Sequence, residues 1–106
     1  MNILFLGDIV GNTGCISVKE NLPNIIKDKS IDFVVANGEN AAKEGVGITE
    51  NITNELLNSG VDVITTGNHV WDQKETYDFI SKQNRLLRPL NLLKNSPGKG
   101  LSLIHI

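Results

Sequence analysis

Three short polar clusters hold most of the residues that could do chemistry: Gly7-Asp8, Asn37-Gly38-Glu39-Asn40 and Thr66-Gly67-Asn68-His69. Together they offer two carboxylates, several amides and one imidazole. Oxygen donors with an imidazole suit manganese, iron or zinc, and a bridging carboxylate is the usual way to hold two such ions close together. Each cluster also carries a glycine, which lets the backbone turn sharply and come close to a ligand. Taken singly, the same residues have plainer readings. An aspartate after a strand can cap the next helix, Asn-Gly and Gly-Asn are turn dipeptides, and a histidine beside an asparagine can be purely structural. The joint pattern says more than its parts, because each cluster directly follows an apolar run.

Those runs are Ile3–Leu6, Phe33–Ala36 and Val61–Ile64, spaced about one βαβ unit apart. They are short, rich in Ile, Val and Phe, and do not alternate, as expected for strands buried on both faces. Between the first two, Val18, Leu22, Ile25 and Ile26 fall on one helical face, and Pro23 predicts a kink or a split there. Ile48, Ile52 and Leu56 form a second stripe, with Thr49 as N-cap and Gly60 as the stop. A third helix is expected from Gln73 to Lys82, with Tyr77 and Ile80 facing inward. After Gln83 the pattern decays into loop chemistry at Arg88-Pro89 and Ser96-Pro97-Gly98. The alternation predicts an α/β domain with a parallel sheet, whose strands would bring all three clusters to their carboxyl ends.

Composition narrows the function classes. The chain has 106 residues, 40% hydrophobic and 21% charged, with a net charge of -2. That balance argues against DNA held mainly through its phosphates. The single cysteine, Cys15, excludes an internal disulfide and suits a reducing cytoplasm. It reads as packing at a helix start. The apolar runs are too short to span a membrane. Gly7–Gly14 lacks the Lys-Ser/Thr of a Walker loop, and Ile9 stands where a dinucleotide fingerprint needs its second glycine. Lys43 and Glu44 are expected to face solvent. Trp71 is expected to pack its loop on the sheet, with base stacking as an alternative.

Residues 2–11, 32–42 and 60–72 closely resemble the YmdB-like metallophosphoesterases, a bacterial branch of the calcineurin-like phosphoesterases described as 2′,3′-cyclic-nucleotide 2′-phosphodiesterases. Gly38-Glu39-Asn40-Ala41-Ala42 and Thr66-Gly67-Asn68-His69-Val70-Trp71-Asp72 carry the likeness. The resemblance implies that Asp8 binds a first metal, Glu39 bridges two, and Asn40 and Asn68 bind the second. His69 would protonate the leaving alkoxide. It implies two divalent cations, iron or manganese ahead of magnesium or zinc, and a small phosphodiester or cyclic-nucleotide substrate, with RNA possible and no DNA or membrane partner. It also implies a four-layer α-β-β-α sandwich and a homo-oligomer.

The family draws further ligands from histidines in its second half, whereas this chain has only His69 and His105. The sequence therefore reads as the N-terminal βαβαβα part of such a sandwich, truncated and inactive alone, with an exposed sheet face. Residues 1–100 are assigned to the phosphoesterase domain. Residues 101–106 are read as a non-native tail, since Leu-Ser-Leu-Ile-His-Ile resembles a translated sequencing adapter. The competing function is a small phosphate- or nucleotide-binding α/β module in which the Gly7–Gly14 loop cradles a phosphate.

Overall fold

The fold of the chain was obtained as a computed structural model that describes residues 1–105. Ile106, the last residue of the expected tail, lies outside the described residues. Four strands, β1 (Ile3–Leu6), β2 (Phe33–Asn37), β3 (Val63–Thr65) and β4 (Leu86–Leu87), form one sheet in the order β1-β2-β3-β4. Every neighbouring pair is parallel. Three helices alternate with the strands: α1 (Gly11–Lys29), α2 (Glu50–Asn58) and α3 (Lys74–Phe79), the last continuing as a single 3-10 turn over Ile80–Lys82.

A strand order that never reverses has a consequence. If each crossover has the same hand, every helix falls on the same side of the sheet. α1 accordingly packs beside α2, and α2 beside α3. The core lies between these helices and one sheet face, with Leu22, Val34, Ala36, Leu56, Ile64 and Ile80 buried. Among the described residues no helix covers the opposite face. Ile3 is 61% and Phe5 63% exposed there, although both belong to a strand of a parallel sheet. Burial along β1 and β2 therefore alternates, and the expectation of strands buried on both faces fails for β1. The chain contributes one helical layer and one sheet layer. Leu101–Ile104 lie beside Phe33, Val63 and Leu87 around a cleft of about 340 Å³ over part of the open face.

Several element boundaries differ from expectation for local reasons. β3 begins at Val63, two residues late, because Asp62 is spent on the connection: its N–H donates to Val34 O and its carboxylate accepts from Val34 N. α1 runs unbroken through Pro23. Pro23 is exposed, so the bond it cannot donate is lost on the solvent side. Ile25 is also half out of the core, at 38% exposure. Thr49 caps α2 by accepting from Ile52 N at 3.3 Å, and Gly60 ends the region with φ 116°. In α3 it is Thr76, Phe79 and Ile80 that face inward, while Tyr77 is 57% exposed. Thr76, Phe79 and Ile80 stand at i, i+3 and i+4, one continuous helical face, and the Thr76 hydroxyl is drawn inward by donating to Ile48 O. β4 has no counterpart in the sequence pattern, because a two-residue strand leaves no periodicity to read.

Candidate metal centre

All four strands are parallel, so their carboxyl ends open on a single rim. Asp8, Asn37 to Asn40, and Thr66 to His69 all leave the sheet there. Backbone bonds tie the first two connections together. Ile9 N donates to Asn37 O at 3.1 Å, Gly11 N donates to Asn40 O at 2.9 Å, and Val10 pairs with Asn40 as an isolated parallel bridge. Gly38 N donates to Thr65 O at 2.9 Å, which joins the second connection to β3.

The side chains follow this scaffold. Asn40 Nδ2 donates to Asp8 Oδ1 at 3.0 Å. Asn40 Oδ1 is buried and has no hydrogen-bond partner among the described residues. A buried acceptor left empty costs on the order of 1–3 kcal/mol, so such atoms are rare in native folds unless a ligand meets them. The Glu39 carboxylate presses against Gly67, filling the space where a Cβ of residue 67 would stand. Any other residue at position 67 would push Glu39 aside. Glu39 is also oriented from its own backbone, its N–H donating to Asn37 Oδ1 at 3.3 Å. The Asn37 amide in turn reaches Thr65 Oγ1 at 3.5 Å.

Asn68 is exposed, in the turn that follows Gly67. His69 is partly buried, and its Nδ1 lies 2.6 Å from Asp72 Oδ2. Asp8 and Asn40 thus touch directly, Glu39 reaches the Gly67 backbone, and Asn68 and His69 join through their place in the chain rather than through a side-chain contact. Among the described residues no three His, Cys, Asp or Glu side chains converge tightly enough to hold a metal by themselves. The two carboxylates here are supplemented by amides.

Asp8 does not cap α1, since Val10 stands at the N-cap without a side-chain bond. The Gly11 N–H, which a phosphate cradle would need, is already given to Asn40 O. Cys15 is buried and donates to Ala41 O at 3.3 Å, as a packing residue of the helix start. Burial holds its thiol above the ordinary range, Glu55 adds to this, and Lys19 partly offsets it. Lys43 and Glu44 are exposed, as expected. Trp71 packs against the core and meets Tyr77 edge-on at 5.3 Å between ring centroids. The sequence places Asn37 in the second polar cluster and Asp72 in the resemblance motif, but assigns neither an orienting role. The signals were there: an Asx-type spacing to Glu39, and the three-residue spacing of Asp72 from His69.

Residues 4–106 match the family model described as YmdB-like protein. The chain belongs to the YmdB-like family. It is 47% identical over 104 residues to a Bacillus subtilis (strain 168) protein named 2′,3′-cyclic-nucleotide 2′-phosphodiesterase, covering 98% of this chain and 39% of that one. Among solved structures, a hypothetical protein from Thermus thermophilus superposes with a TM-score of 0.89 at 39% identity, over 100% of this chain and 40% of the other. A Mycoplasma pneumoniae protein described as a novel phosphatase gives a TM-score of 0.83 at 34% identity, over 91% and 36% of the two chains. The chain thus spans about two-fifths of the YmdB-like relatives it matches, and those with an activity in their names are phosphodiesterases or phosphatases. Among the described residues no helix is long and apolar enough to cross a membrane.

Proposed function

We propose that this chain supplies one side of a two-metal phosphodiesterase centre whose substrate is a small phosphodiester, with 2′,3′-cyclic nucleotides as the first candidates. The observation that carries the reading is the Asp8–Asn40 pair. It spends the amide nitrogen on a carboxylate and leaves the amide oxygen buried and unmet, which is what a cation would satisfy. Identity with a named cyclic-nucleotide phosphodiesterase supports the substrate class.

The donors fit hard divalent cations, with manganese or iron first and magnesium or zinc after. Asp8 would hold one ion, Glu39 would bridge, and Asn40 and Asn68 would hold the second. When bound, such a pair neutralises phosphodiester charge and makes a hydroxide nucleophile available near neutral pH. Gly67 gives the bridging carboxylate the room it needs, and Asn37 fixes the backbone that carries it. His69 protonates the departing ribose oxygen, as general-acid chemistry requires of a group at the edge of the site. Because His69 is reserved for the proton, these 106 residues contribute no imidazole ligand from the rim, and we infer that alone they bind metal weakly and turn over little. The single buried thiol is consistent with a cytoplasmic setting.

The test is Glu39→Ala in a chain of the relatives' length carrying these residues, scored by bound manganese and by hydrolysis of 2′,3′-cyclic AMP. Both should fall together. Retention of both would refute the reading.

A further inference from the structure

The contact between His69 and Asp72 is short, and one side of it can only accept. The carboxylate Oδ2 lies 2.6 Å from Nδ1, and the two side chains are 36% and 40% exposed. A carboxylate has no proton to give at neutral pH, so the hydrogen in this bond belongs to the ring. The partner on Nδ1 then decides which nitrogen is left over. The surrounding backbone holds the geometry. Asp72 N donates to His69 O at 3.1 Å, closing a turn around Val70 and Trp71, and Val70 is buried beneath it. Trp71 packs on the core from the same turn. The next residue, Gln73, donates to Val46 O at 3.0 Å and to Glu44 Oε2 at 3.3 Å, anchoring the end of the turn to the loop after β2. Asp72 is therefore held where it can fix the ring.

We propose that Asp72 is the positioning residue of His69: it keeps the proton on Nδ1 and confines proton exchange with the substrate to Nε2. The proposal rests on the reading of His69 as the proton donor, and adds the residue that aims it. In either charge state of the ring, Nδ1 carries hydrogen and Nε2 is the nitrogen open to the site. An unrestrained neutral imidazole would divide its population between both tautomers and turn about its side-chain bonds. The carboxylate removes both freedoms. Asp72 need not touch the substrate to do so.

The experiment is ¹⁵N NMR of the His69 ring in this chain, with the ring in its neutral form and Asp72→Ala as comparison. In the unaltered chain Nδ1 should resonate in the protonated range and Nε2 in the unprotonated range. In Asp72→Ala the two resonances should move toward each other or exchange, as the Nε2–H form gains population. If the unaltered chain already shows Nε2 protonated, the proposal is overturned, whether or not the variant folds. If the variant folds and the shifts do not change, Asp72 is not the cause and the proposal likewise fails. The readout needs no turnover, so it is separable from the acid role itself. Were Nδ1 protonated while His69→Ala left hydrolysis intact in a chain of the relatives' length, the acid role would fall and the Asp72 contact would stand.

Discussion

The carboxylate of Glu39 occupies the volume that a side chain at Gly67 would need. This sets the connection after β2 directly against the connection after β3, and it makes a glycine part of the site. Gly67→Ala should leave the fold in place, since no positive φ is required at this position, yet it should displace Glu39. Manganese affinity should drop roughly 10- to 100-fold, the range typical when the support of a ligand is disturbed. Gly7→Ala is the control, because a Cβ there meets nothing within 4 Å. Calorimetric titration of both variants checks this, and equal affinity in the two would contradict it.

His69 and Glu39 should separate by kind of defect. In a chain of the relatives' length, His69→Ala should lower kcat by about 10²- to 10⁴-fold, the usual worth of a positioned acid, with metal content little changed. Parallel metal analysis and rate measurement decide the matter. Metal lost in proportion to activity would make His69 a ligand instead.

Cys15 gives a pH dependence whose sign can be worked out. Burial first, and then Glu55, raise its folded-state pKa above the unfolded value. The folded chain therefore keeps the thiol proton while the unfolded chain loses it, and stability falls as pH rises above ~8.5, the ordinary thiol pKa. Urea midpoints at pH 7 and pH 10 should differ, and the difference should shrink in Cys15→Ala. An unchanged difference would assign the effect to other groups.

The bare sheet face should make the chain adhesive. Ile3 and Phe5 stand exposed on β1, which is also an edge strand with unpaired backbone groups. Phe5→Lys places a charge on that edge at little cost in folding, since the side chain is already 63% exposed. Light scattering should show a larger monomer fraction at a given concentration. No gain would mean that association runs through another surface.

Much of this is legible in the sequence, and the gaps have physical causes. The existence of β1, β2 and β3 and the clusters at their carboxyl ends can be read because apolar runs of Ile, Val and Phe have few other uses, although β3 starts two residues into its run. β4 cannot, since Leu86-Leu87 is too short for a pattern. The inward face of α3 keeps Ile80 but takes Thr76 and Phe79 in place of Tyr77, because the Thr76 hydroxyl donates to Ile48 O while Tyr77 lies edge-on against Trp71 at the surface. The split that Pro23 allowed does not form, and Pro23 sits on the exposed face of one continuous helix. Residue types and spacing lead to Asp8, Glu39, Asn40, Asn68 and His69. The pairing of Asn40 with Asp8 depends on rotamers and on the tie between Gly11 N and Asn40 O, which no spacing rule encodes, whereas that of His69 with Asp72 follows a three-residue spacing.

The most direct test of the shared cation site is substoichiometric Mn²⁺ added to ¹⁵N-labelled chain, with the broadening of each backbone amide followed by NMR. Paramagnetic broadening is local and does not require tight binding, so a partly furnished site still reports itself. Amides of Asp8, Glu39, Asn40, Asn68 and His69 should broaden first and together, and the effect should vanish in Glu39→Ala. Broadening scattered over surface carboxylates such as Asp28, Glu75 and Asp78, with this rim untouched, would contradict the account.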